Sequence, residues 1–206
     1  MGKDFFSKKK FYLTLDLEDW YHLDYFKDKV NKKPIFISEL KEFFNFLDEK
    51  QIKITIFALA ELVEKYPEFI KELAEKGHEI ACHGLNHDVL FNKSNQQFKD
   101  ELIKAKKIIE DITNKPVYGY RAPCFSLDNE KLEILQGIGL KYDSSYIKFS
   151  QHSLYRNLDL SEYDEVDDLI YKKGDFFEFE VPMFKVKKYN AKVKGIAIVL
   201  ELYCMY

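Results

Sequence analysis

Long apolar runs, paired cysteines and an excess of charge of one sign are all missing from this 206-residue sequence, and each absence removes a class of protein. The longest late apolar run, residues 196–200, falls far short of the roughly 20 apolar residues that a membrane-spanning helix needs. At the N-terminus Lys8, Lys9 and Lys10 imitate the basic start of an export signal, but Asp16 arrives before any apolar segment can develop. The three cysteines, Cys82, Cys124 and Cys204, are odd in number and widely spaced, which excludes a disulfide framework and a cysteine-pair metal site. A formal charge of −3, spread evenly, leaves no dense basic footprint for nucleic acid and no polybasic membrane patch. The expectation is a soluble cytoplasmic protein with reduced thiols.

What the sequence does contain is enough apolar material for one sizeable core: 46% hydrophobic and 16% aromatic residues. A single domain over residues 1–206, with 1–10 as a tail, is therefore expected. Strand-like and helix-like segments alternate. After a first strand ending near Asp16, Ser38 is placed to cap a helix to Lys50 with Leu40, Phe43, Phe44 and Leu47 as its buried stripe. "IKITIFAL" (52–59) reads as a strand, Pro67 opens a helix that stops at Gly77, and "HEIAC" (78–82) is a third strand. Phe98, Leu102, Ala105, Ile109 and Ile112 recur at spacings of four and three, the pattern of an amphipathic helix. "VYGYR" (117–121) and "LKYDSS" (140–145) are further strands flanking a helix over 129–136. Residues 148–174, polar and without period, read as a long excursion, and "FFEFEVP" (176–182) recovers alternation. Such βα repetition implies parallel pairing, in a barrel or a doubly wound sheet, with the C-terminal strand ends sharing one mouth.

The residues at those strand ends carry the chemistry. "FYLTLDLEDW" (11–20) delivers Asp16, Glu18 and Asp19; alternation puts Asp16 and Glu18 on one face, with Asp19 pointing elsewhere or opening the loop. "CHGLNH" sets His83 and His87 four apart behind the third strand, a spacing at which two imidazoles can bind one ion, and one that also occurs in solvated loops. Two histidines and a carboxylate suit Zn²⁺, or Co²⁺ or Ni²⁺, and leave positions open for water and substrate. The other acid is then available as a base, with Arg121 as its charge partner. Pro123 fixes the backbone of "YRAPCFS", so that N–H groups from Cys124 onward are expected to face an oxyanion. Cys124 has no histidine placed to activate it as a nucleophile, and Cys82 in its apolar strand reads as core.

"TLDLED", "HGLNH", "RAP" and "YDSS", each following a strand in that order, resemble the motifs of the polysaccharide deacetylases, the NodB-homology carbohydrate esterases. The Asp-x-Glu-Asp opening is similar to the variant encoded in surface- and exopolysaccharide loci. The resemblance implies a distorted (β/α) barrel and metal-dependent removal of N-acetyl groups from an N-acetylated sugar. It also implies Asp16 as base, Arg121 as its positioning partner, and His83 and His87 as metal imidazoles. Leu17 occupies the position where adjacent-acid members carry their metal carboxylate, so Glu18 or Asp19 substitutes, with Glu18 favoured by alternation. Asp143 falls in the region supplying the partner acid of a C-terminal Leu-His general acid, yet no histidine follows Gly174, the last being His152. A barrel incomplete at its C-terminal end is therefore expected. Alternatives to deacetylation are a non-catalytic metal- or glycan-binding homologue and an amidohydrolase on non-sugar amides. Trp20, Tyr21 and Phe26 are placed either to stack on sugar faces or to pack, and His22 reads as a loop residue.

Overall fold

The structure, a computed structural model, describes residues 12–22, 36–148, 158–184 and 196–197. Strands β1 (Thr14–Leu17), β2 (Thr55–Ala58), β3 (Glu79–Cys82), β4 (Gly119–Tyr120) and β5 (Tyr142–Asp143) lie side by side in that order, all parallel. Helices α1 (Phe36–Glu49), α2 (Ala60–Lys65), α3 (Pro67–Glu75), α4 (Asn95–Thr113) and α5 (Asn129–Gly137) fill the crossovers. Beyond β5 the sheet continues with β8 (Phe176–Phe179), parallel to it. Then come β7 (Ile170–Lys173) and β6 (Asp164–Asp167), antiparallel. A two-residue pair, β9 (Met183–Phe184) with β10 (Ile196–Ala197), stands apart.

Register divides the sheet into two faces. Leu17, Ala58, Cys82, Tyr120, Asp143 and Glu178 form one row across successive strands. One residue earlier in each strand, Asp16, Phe57 and Ala81, and likewise Gly119, Tyr142 and Phe177, point the other way, because side chains alternate along a strand. The first row faces the helices. Leu17, Ala58, Cys82 and Tyr120 join Leu40 and Phe44 of α1, Leu73 of α3 and Leu102 and Ile109 of α4 in the main core. Burying each large side chain there contributes about 1.5–3 kcal/mol. Helix α4 is also closed locally: Ser94 and Gln97 cap its start reciprocally, and Asn114 ends it in the left-handed region at φ +53°.

The second row lines the inside of a curl. Five strand spacings of about 4.8 Å would separate β1 from β8 by about 24 Å in a flat sheet. The ring of Tyr12, just before β1, instead lies 5.8 Å from that of Phe179 in β8. Phe57, Tyr142 and Phe179 meet edge to face inside the curl, with centroids 6.4 and 5.3 Å apart. Gly119 makes room for them: a Cβ there would sit 2.0 Å from Cζ of Tyr142.

Two expectations need correction, and one element went unread. Helix α1 begins at Phe36, so Ser38 is inside it and is not its cap. The segment after β2 is itself helical as α2, whose six residues are too short for a periodic signal to stand out. Residues 148–174 are not wholly an excursion, since β6 and β7 form a hairpin there. All of β6 is exposed at the sheet edge, so "DEVD" has no apolar face to betray a strand, and its charges blunt that edge. Among the described residues no helix is long and apolar enough to cross a membrane, and Cys82 is a free thiol. Phe26, His152 and Cys204 lie outside the described residues.

Candidate metal centre

At the C-terminal end of β1 the chain turns from Asp16 inside the curl to Glu18, and at the end of β3 it turns through His83 to His87. Glu18, His83 and His87 each offer one donor atom, all within 4.8 Å of one another; among the described residues this is the group of acids, cysteines or histidines that meets so closely. Both imidazoles are buried, at 2% and 4% exposure, which is unusual for solvated loop histidines. Glu18 Oε2 lies 2.7 Å from His87 Nε2, yet without hydrogen-bond alignment, as expected of two donors turned toward a common centre. His83 Nδ1 donates to the Arg121 carbonyl at 2.8 Å, which fixes the tautomer and leaves Nε2 as the ligating nitrogen. Complete burial pushes the His83 imidazole below its ordinary range, with Asp16 opposing in part, so the neutral ligand form prevails. Two ligands about 2.1 Å from a tetrahedral ion stand about 3.4 Å apart, and the spacings here bracket that value. The donor set fits a first-row divalent ion.

Loop geometry explains why the histidines arrive together. Gly84, directly after His83, has φ +103°, and a Cβ there would lie 3.3 Å from the Asn86 carbonyl, so only glycine lets the chain fold back toward His87. The Gly84 and Leu85 carbonyls accept from the first N–H groups of α2, tying the loop to that helix.

Arg121 connects this centre to Asp16. Its Nη1 donates to Asp16 Oδ1 at 2.6 Å and to Thr14 Oγ1 at 3.1 Å, Nε to the Ser144 carbonyl at 3.0 Å, and Nη2 to Ser144 Oγ at 2.8 Å. The guanidinium also stacks on Phe57, 4.1 Å from its centroid. Both partners of the ion pair are buried, so it is dry and rigidly held.

The other candidates fall elsewhere. Asp19 is not among the donors; its N–H donates to His22 Nδ1 at 2.7 Å and its carbonyl accepts from the His22 N–H at 2.9 Å, in the single turn Trp20–His22. The Trp20 side chain lies outside the described residues. Asp143 is fully buried in the helix-facing row, so alternation carries it to the opposite side of the sheet from Asp16. Of the N–H groups expected at an oxyanion, those of Phe125 and Ser126 are spent within their own turn, on the Ala122 and Pro123 carbonyls. That turn is strained, with Cys124 and Phe125 both left-handed at φ 51° and 52°, and Pro123 is buried beneath it. The Cys82 thiol, pushed up to about 12 by burial, is inert. Sequence reasoning missed Thr14, Ser144, Ser145 and Glu178. Its available signal was an acid, Glu178, standing between phenylalanines in a strand.

Beside His87 opens a cavity of about 390 Å³ lined by Tyr21, His22, Glu61, Lys65, Asn86 and Asp88. His22 faces it with Nδ1 occupied by the Asp19 N–H and Nε2 3.0 Å from Glu61.

Parallel strands that bring a carboxylate and two imidazoles together beside an Arg-held acid define a class: an α/β protein with a candidate mononuclear metal centre. Residues 7–142 match the family profile described as polysaccharide deacetylase, and the chain belongs to that family. It is 34% identical over 91 residues to a peptidoglycan deacetylase of Helicobacter pylori, a stretch covering 44% of this chain and 31% of the relative. The matched segments span about a third or less of the curated relatives. Among solved structures, a proposed polysaccharide deacetylase of Mycobacterium smegmatis aligns with TM-score 0.62 at 22% identity, over 83% of this chain and 58% of that one. A carbohydrate esterase family 4 pseudoenzyme from Bacillus anthracis aligns with TM-score 0.52 at 21% identity, over 63% and 40%. These likenesses bear out the distorted-barrel fold.

Proposed function

We propose that the chain is a divalent-metal-dependent hydrolase that removes N-acetyl groups from amino sugars of a polysaccharide or glycan precursor. The observation that carries this is the convergence of three donors, Glu18 and the buried His83 and His87, beside an acid already bonded to a guanidinium. Relatives named as peptidoglycan and chitin deacetylases support it. A divalent ion held there supplies Lewis acidity, polarising a carbonyl and acidifying water. Asp16 is the group placed to take the proton from the attacking water, and Arg121 fixes its orientation. The Arg121 carbonyl, through His83 Nδ1, ties that same residue to the donor set. The cavity beside His87 is of the size that small-molecule sites take, and gives a sugar ring a place to lie.

Protonation of the leaving amine separates this from a second reading, binding of metal or glycan without turnover. Of the described histidines, two are metal donors and His78 is buried beside Phe44 and Ile54, below the N-terminal end of β3. His22 is engaged at both nitrogens. None is placed as the acid. The test is acetate release from N-acetylhexosamine oligomers with added Zn²⁺ or Co²⁺, alongside calorimetric metal binding. Release that disappears with metal binding in His83→Ala is the expected result. Binding without release in the wild type supports the second reading, and absence of both overturns the two together.

A further inference from the structure

Behind the Arg121–Asp16 contact, on the other face of the sheet, lies a second pair of acids to which no cation among the described residues is bonded. Asp143 and Glu178 are register partners on β5 and β8, and both are fully buried. Together they hold the turn that follows β5. The Ser145 N–H donates to Asp143 Oδ2 at 2.8 Å and to Glu178 Oε1 at 3.1 Å, and the Tyr146 N–H donates to Glu178 Oε1 at 2.9 Å. Ser145 Oγ donates to Asp143 Oδ1 at 2.9 Å while accepting from the Ala122 N–H at 2.9 Å. The same turn presents the Ser144 carbonyl and hydroxyl to Arg121. One continuous chain of bonds thus runs from Glu178 and Asp143, through residues 144–146, to Arg121 and Asp16.

We infer that Glu178 and Asp143 are a positioning pair for Arg121, acting through the Ser144–Tyr146 turn with one proton shared between their carboxyl groups. Three geometric facts converge on the shared proton. The pair is dry; Arg121, the one guanidinium among the described residues, is bonded to Asp16 and Ser144; and Glu178 Oε2 is buried with no donor among the described residues, on the strand position directly opposite Asp143. Burial raises both groups, Asp143 to about 6 and Glu178 well above its ordinary value, in the same direction. A neutral acid at Glu178 serves the turn because its Oε1 still accepts two N–H bonds while the proton removes the repulsion between neighbouring carboxylates.

The function given to Arg121 rests on the proposed deacetylase reading, but the positioning does not, and the experiment separates the two. In the full-length protein, the Arg121 Nε–H NMR signal, assigned by its loss in Arg121→Lys, reports whether the guanidinium is held. Glu178→Gln, which mimics the protonated acid, is expected to keep that signal and wild-type kcat. Glu178→Leu is expected to lose or broaden the signal and to lower kcat for acetate release about 10- to 100-fold with little change in KM. A held signal and unchanged kcat in a folded Glu178→Leu overturn the inference, as does a Glu178→Gln that falls as far as Glu178→Leu. Should Glu178→Leu not fold, Glu178→Gln decides alone: retention supports the shared proton and loss overturns it. A wild type that releases no acetate sinks the deacetylase reading, and the NMR signal still decides this one.

Discussion

The two faces of one sheet bury acid in two different ways. On the inner face Asp16 is balanced by a guanidinium, with the Arg121 side chain stacked on Phe57 and bonded at each nitrogen. On the helix-facing side Asp143 and Glu178 have each other and a turn of N–H and O–H donors. The inner arrangement pairs a buried acid with a buried cation, whereas the outer one removes a charge where only hydrogen bonding is needed. Desolvation decides which solution each side can use. An ionised carboxylate buried without a cation costs several kcal/mol, and a proton is the cheapest way to avoid it.

Removing each compensating element should therefore have unequal effects. Arg121→Met leaves Asp16 buried without its cation and is expected to cost about 3–5 kcal/mol in urea unfolding. Glu178→Gln keeps the hydrogen bonds of a neutral acid and is expected to cost less than about 1 kcal/mol at acid pH. Equal losses would break the contrast. A smaller effect tests which face is which: Gly119→Ala drives a methyl group into the Tyr142 ring inside the curl and is expected to cost about 1–3 kcal/mol by overpacking. Gly137→Ala, at the end of α5 with nothing within 4 Å of its Cβ, serves as the control and is expected to be neutral or stabilising by about 0.4–1 kcal/mol. A tolerated Gly119→Ala would mean that Tyr142 does not point inward.

Much of this arrangement was readable from residue order. The βα alternation, the buried stripes of α1 and α4, and the placement of His83 and His87 behind a strand follow from periods of 2 and 3.6 and from Gly77 and Pro67 as punctuation. Glu18 sharing a centre with the imidazoles followed from alternation along β1. What could not be read was anything set by register between distant strands. Asp143 looked like a site residue because it ends a strand beside the mouth, but which face it takes depends on its pairing with Tyr120 and Glu178. Glu178 carried only the signal of an acid between two phenylalanines, which does not name its partners, Ser145 and Tyr146, more than thirty positions away. The β6–β7 hairpin escaped because an edge strand exposed on both faces needs no hydrophobic pattern.

The weakest expected effect is a pH dependence, and its sign distinguishes the two faces. Asp143 and Glu178 both titrate above their ordinary ranges in the folded chain, so the native pair binds more protons than the unfolded chain does. Stability from this source is fully present below about pH 4, where the unfolded carboxyls also hold their protons. It is lost as pH rises through about 6, the value for Asp143, and onward through that of Glu178. The groups facing the pair are Arg121, Tyr120, Tyr146 and Tyr163, none of which changes charge in that window. His83 works oppositely, its depressed range giving stability that is present at higher pH and lost on acidification, but it is common to both proteins and cancels in a difference. Glu178→Gln has no proton to lose at that position, so its stability relative to wild type should climb from pH 5 to pH 7 by on the order of 1 kcal/mol. Urea unfolding of both proteins across that range measures it. Parallel curves would mean that the helix-facing acids hold no extra proton and that the two faces bury their acids alike.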